Sequence, residues 1–129
     1  MKIIIVGFGI QGQKREKFLK GKVVGVIDPI LNLKNLNFPV YKDIKNIPMH
    51  SYDSVFLCIP DKLKNKYIKF CLENNKNILC EKPLLSSKTY SLDHMLNYTK
   101  NKKNSIYVAY NHRFEPSILK LYELMKNKK

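Results

Sequence analysis

A doubly wound α/β fold, one parallel sheet of about six strands with helices on both faces, is predicted for these 129 residues by three observations. Short apolar runs alternate with longer amphipathic stretches, the pattern of repeated strand–helix units and a parallel sheet. The first run, Ile3-Ile4-Ile5-Val6, breaks directly into Gly7-Phe8-Gly9-Ile10-Gln11-Gly12. The second run ends on an acid, Asp28.

Taken in order, the first strand is expected at about 2–6, where four branched aliphatic residues follow one another, and its helix at about 10–20, after the glycine turn. A second apolar run gives a strand at about 23–28. The segment from Pro29 to Pro39, rich in asparagine and leucine, reads as an irregular crossover into a short strand near 38–41 and a short helix near 42–46. Then come a strand at 54–59, a helix at 61–74 with Asp61 as its N-cap, a strand at 77–80, and a helix at 87–102 capped by Ser86 or Ser87. A strand at 105–110 and a helix at 115–127 complete one domain spanning 1–129.

The glycines have separable tasks. Gly7 makes the tight turn, Gly9 lets the backbone approach a pyrophosphate, and Gly12 lets helix and strand pack closely. With Phe8, Ile10 and Gln11 between them, they place a helix N-terminus, with its unpaired N–H groups and positive dipole end, against phosphates. Strand before, helix after and an acid about twenty residues on make a dinucleotide-binding fingerprint of the Rossmann type. A glycine-rich turn that binds nothing is the alternative, and the three features in register argue against it. Asp28, followed by Pro29, would accept from the ribose hydroxyls and repel a 2′-phosphate, so NAD is expected in preference to NADP. Lys34 leaves NADP open.

Sheets of this kind bind ligands at the carboxyl ends of their strands. Those ends are Ile59-Pro60-Asp61 after the fourth strand, Cys80-Glu81-Lys82-Pro83 after the fifth and Asn111-His112-Arg113 after the sixth. Ile59, Pro60, Glu81, Lys82 and Asn111 join the expected cofactor site, and Lys82 and His112 are also the candidates for acid/base chemistry. A lysine partly desolvated beside a cofactor would have its pKa lowered, as proton transfer near neutral pH requires. Glu81 would hold Lys82 or oppose that shift, and the Lys82–Pro83 bond could be cis. His112 reads equally as a hydrogen-bonded structural group, and Arg113 could pair with Glu115 or with Glu81.

The formal charge of +14 suggests a nucleic acid or an anionic membrane, but the composition argues against both. Arg15 and Arg113 are the only arginines, and the lysines scatter through every expected helix and loop, often beside asparagine. Base readout and bidentate phosphate binding favour arginine, and the aromatic residues form no clustered stacking surface. No run approaches the roughly 18 apolar residues of a membrane span, and no signal peptide opens the chain, so a cytoplasmic protein is expected. Cys58, Cys71 and Cys80 lack metal-type spacing and read as packing residues; no metal is expected.

These residues together resemble a family, the oxidoreductases related to glucose–fructose oxidoreductase, inositol dehydrogenase and rhizopine catabolism proteins. The likeness runs the whole chain. It rests on the glycine turn, on Asp28-Pro29, on Glu81-Lys82-Pro83-Leu84 and on Tyr110-Asn111-His112-Arg113-Phe114, with the Glu-Lys-Pro element the most specific. The resemblance implies an NAD(P)-dependent dehydrogenase that moves a hydride between nicotinamide and a sugar, sugar-nucleotide or polyol, with Lys82 facing nicotinamide and substrate. Members commonly carry Thr-Pro and then a histidine after the fourth strand; here Pro60 follows Ile59, and Lys64 stands where the histidine would be. Members also continue into a second α/β domain that carries much of the substrate pocket and the homo-oligomer interface. That domain is absent from these 129 residues, which fits either the cofactor-binding half of a dehydrogenase or a stand-alone module that binds or senses nicotinamide nucleotides.

Overall fold

A computed structural model of the chain describes residues 1–31, 36–84, 91–100 and 104–126. Its sheet has six parallel strands: β1 (Ile3–Val6), β2 (Val23–Ile27), β3 (Val40–Tyr41), β4 (Ser54–Leu57), β5 (Asn77–Glu81) and β6 (Ile106–Ala109). Their order is β3-β2-β1-β4-β5-β6, the doubly wound arrangement, with the reversal beside β1. Register is continuous across it: Val6 lies against Ile27 on one side and Leu57 on the other, Leu57 against Cys80, and Glu81 against Ala109. The carboxyl ends that matter for binding therefore come out side by side.

Every residue of β1 is buried, which is why it reads as an unbroken apolar run instead of an alternating one. Its side chains divide between two cores. Ile4 and Val6 join Val55, Leu57, Ile78 and Cys80 beneath Ile68, Cys71 and Leu72 of α2 (Asp61–Glu73) and Met95 of α3 (Leu92–Lys100). Ile3 and Ile5 face the other way with Phe8, Val23 and Val26, near Leu19 at the end of α1 (Ile10–Leu19). Each fully buried isoleucine stabilises the fold by about 1.5–3 kcal/mol.

Several boundaries differ from the expected ones, each for a local reason. β3 is two residues long, and the short helix expected near 42–46 is a single 3₁₀ turn, Ile44–Asn46, closed by Asp43 accepting from the Lys45 amide at 3.0 Å. A second 3₁₀ turn, Met49–Ser51, has no counterpart among the expected elements. Asp61 is not the N-cap of α2: Pro60 occupies that position, and the Asp61 carboxylate turns to Lys64 at 2.6 Å. An ammonium is a stronger partner for the carboxylate than a backbone amide. The proposed caps Ser86 and Ser87 lie outside the described residues, as does Lys34; within them α3 opens at Leu92, where Ser91 Oγ accepts from the His94 amide. A 3₁₀ turn, Asn111–Phe114, precedes α4 (Pro116–Lys126), and all of α4 is exposed.

Candidate dinucleotide site and the strand-end cleft

The glycine turn has the geometry its sequence implies. Gly7 adopts a φ of +84°, and a Cβ there would lie 2.6 Å from the Cys58 carbonyl oxygen, so conformation and space both demand glycine. A Cβ on Gly12 would stand 2.2 Å from the Gly7 carbonyl oxygen; helix and turn touch at that point. Gly9 differs from both: a Cβ there would meet nothing within 4 Å. Among the described residues its lack of a side chain serves no packing, and it leaves open the space above the N-terminus of α1, where Gly9 is the N-cap and no side chain caps the helix. Free N–H groups and empty space together fit a pyrophosphate.

Asp28 stands just past β2 and ties this turn to the second strand. Its Oδ2 accepts from the Phe8 amide at 2.9 Å and its Oδ1 from the Ile30 amide at 3.1 Å, while the Gly7 amide donates to the Ile27 carbonyl at 2.8 Å. Each carboxylate oxygen keeps a further lone pair for a ribose hydroxyl. A cation that no sequence motif marks also stands there: Lys42, just after β3, donates to the Pro29 carbonyl at 2.8 Å.

Across the reversal, a cleft of about 430 Å³ is lined by Gln11, Ile59, Pro60, Lys64, Glu81 and Lys82, among others. It joins the glycine turn, through Gln11, to the ends of β4 and β5, and of the expected site residues it brings together Gln11, Ile59, Pro60, Glu81 and Lys82. Asn111 and His112 do not line it. They lie exposed in the turn after β6, where His112 Nδ1 is 2.7 Å from Glu115 Oε1. Of the pairings open to Arg113, neither forms: Glu115 is engaged by His112 and Glu81 by Arg15.

The turn after β5 is held by two residues that were not assigned to the site. Arg15, on the inward side of α1 three residues beyond Gly12, donates through Nε to Glu81 Oε1 at 2.7 Å and through Nη2 to the same oxygen. Glu81 is thus fixed by Arg15, not by Lys82. Lys64 is 2% exposed, and its Nζ donates to Asp61 Oδ1 at 2.6 Å, to the Glu81 carbonyl at 2.6 Å and to the Pro83 carbonyl at 2.9 Å. Its place was legible in the periodicity of α2, whose buried positions are Lys64, Ile68, Cys71 and Leu72. A lysine on that stripe is a lysine pointing inward. Lys82 itself is exposed and has no hydrogen bond or ion pair among the described residues, and the bond to Pro83 is cis. The desolvation expected of Lys82 is therefore not supplied by the described residues.

Near the cleft, burial pushes the Cys58 thiol up to about 12, with the Glu81 carboxylate adding to the effect; burial likewise pushes Cys71 up to about 12 and raises Cys80. All three cysteines are free, and burial disfavours their thiolates. No group of three or more potential metal ligands occurs among the described residues, and no described helix is long and apolar enough to cross a membrane.

Residues 1–110 match the model of the oxidoreductase family with the NAD-binding Rossmann fold, the GFO_IDH_MocA family. The chain belongs to this family. Among curated relatives, it is 25% identical over 137 aligned positions to an inositol 2-dehydrogenase of Mycolicibacterium smegmatis, covering 97% of this chain and 40% of that protein. An uncharacterised oxidoreductase of Bacillus subtilis, YrbE, is 30% identical over 90 residues, 67% of this chain and 25% of that protein. Among solved structures, myo-inositol 2-dehydrogenase from Lactobacillus plantarum superposes with a TM-score of 0.82 at 20% identity, over 98% of this chain and 41% of that one. The WlbA dehydrogenase from Thermus thermophilus, in complex with NAD and α-ketoglutarate, superposes with a TM-score of 0.81 at 20% identity, over 100% of this chain and 48% of that one. The family member described here thus spans less than half the length of these relatives.

Proposed function

We propose that this chain binds NAD along the glycine turn and Asp28 and serves as the cofactor-binding half of a dehydrogenase acting on a sugar, sugar-nucleotide or polyol. The observation that carries the reading is Gly9: the turn keeps open space where packing does not require it, directly above uncapped helix N–H groups. The family supplies the class of chemistry, and inositol dehydrogenases among its relatives favour a polyol or related sugar.

Bound NAD would supply the hydride acceptor. Asp28 is assigned the ribose hydroxyls, the amides at the start of α1 the pyrophosphate, and Ile59 and Pro60 the wall at the β4 end. Lys82, on the same cleft and without a hydrogen bond or ion pair among the described residues, is assigned to hydrogen-bond the substrate hydroxyl and to relay its proton at Nζ. No step is assigned to His112, whose ring is engaged by Glu115. We further propose that the substrate pocket and any homo-oligomer contact draw on chain outside these residues, as the greater length of the relatives suggests.

Gly9→Ala tests the reading directly. Since its φ of −70° suits alanine and the added methyl meets nothing, stability should stay within about 1 kcal/mol. NADH affinity should nevertheless fall at least about ten-fold, a loss of about 1.4 kcal/mol, in a fluorescence titration. Unchanged affinity would remove the pyrophosphate from this turn.

A further inference from the structure

We infer that Lys64 is a positioning residue for the cleft: its buried ammonium grips the backbone on both sides of Lys82 and so sets the direction in which Lys82 enters the cleft. The inference rests on the proposed use of Lys82. An ammonium carries three donors and no acceptor, and here all three are used, on Asp61 Oδ1 and on the carbonyls of Glu81 and Pro83. Two of those acceptors belong to the peptide before Lys82 and the peptide after Pro83. With both peptides fixed and the φ of Pro83 set by its ring, little rotation is left to the Lys82 backbone.

Lys82 needs such a device, because its side chain makes no hydrogen bond or ion pair of its own among the described residues and is exposed. Only its point of departure from the backbone is held. Arg15 acts beside Lys64 by fixing the Glu81 side chain, whereas Lys64 fixes the Glu81 main chain, so the residue before Lys82 is held at both. A histidine at position 64 has two ring nitrogens and would reach at most two of the three acceptors. Lysine is the side chain that serves all three from one atom, and the carboxylate of Asp61 offsets the cost of burying its charge.

The arrangement can be tested without cofactor or substrate, so its failure is separate from failure of the NAD reading. In the unmutated chain labelled with ¹³C and ¹⁵N, Lys64 should show a solvent-protected ammonium resonance with couplings through the hydrogen bonds to the carbonyl carbons of Glu81 and Pro83. Absence of those couplings overturns the inference. In Lys64→Met, the residual dipolar coupling of the Lys82 Cα–Hα bond should fall by about half or more as the turn samples other orientations, while those of Ile3–Val6 keep their values. An unchanged Lys82 coupling overturns the inference, and so does a loss spread evenly over the sheet, which would make Lys64 a tie of general stability only. If Lys64→Met does not fold, the couplings in the unmutated chain decide.

Discussion

The ends of β5 and β6 are neighbours in the sheet, with Glu81 paired to Ala109, yet the chain treats them oppositely. The β5 turn is held by a buried lysine from α2 and a half-buried arginine from α1. The β6 end carries its polar residues on an exposed 3₁₀ turn, where Phe114 is 75% exposed, and leads into a helix whose Leu121, Tyr122 and Met125 are more than half exposed. Both ends carry motifs of the family resemblance. A motif's presence in sequence and its organisation in space are thus separate facts: the described residues alone order Glu81-Lys82-Pro83, and they leave Asn111-His112-Arg113-Phe114 in solvent.

Removing the holding residues one at a time should grade the contrast. Lys64→Met strands two carbonyls and a carboxylate around a buried methyl, and should cost about 2 kcal/mol in urea denaturation. Arg15→Ala removes a partly exposed pair; after discounting for solvent, about 1 kcal/mol is expected. His112→Ala, at the other end, breaks a contact whose imidazole is 85% exposed, and should change stability by no more than about 0.5 kcal/mol. A His112→Ala cost equal to that of Arg15→Ala would erase the distinction between the two ends.

A smaller effect sharpens the picture of the core below them. Cys58 and Cys71 are pushed up to about 12 by burial, from an ordinary value of 9.0. Their unfolded counterparts ionise first as pH rises, so the unfolded chain binds fewer protons and stability declines with pH. The contribution is whole below about 9 and is lost progressively toward 12. The urea midpoint should fall across that window, and replacing Cys71 by alanine should reduce the pH dependence whatever it does to the stability itself.

How much of this could be read from the sequence follows from how local each cause is. The first strand and the glycine turn were legible because one contiguous segment, Ile3 to Gly12, contains both the buried run and the residues that need glycine. The Glu-Lys-Pro turn was legible for the same reason. What holds that turn was not, because Arg15 and Glu81 are 66 positions apart and nothing in either segment names the other. Lys64 fell between these cases: the stripe of Lys64, Ile68, Cys71 and Leu72 marks it as inward-facing, but composition makes one lysine among many easy to pass over. Asp61 has the residue type of a cap but not the role, because its partner is that same lysine. Nucleotide preference stays open to test because Lys42 reaches Pro29 beside the acid that disfavours a 2′-phosphate.

The proposed seat of the NAD ribose on Asp28, at the end of β2, is tested most directly by paired titrations of NADH and NADPH against the unmutated chain and Asp28→Ala. The Kd for NADH should lie at least about five-fold below that for NADPH, a difference of about 1 kcal/mol, and the gap should narrow in Asp28→Ala. Equal affinities in the unmutated chain, or a gap that survives loss of the carboxylate, would contradict it.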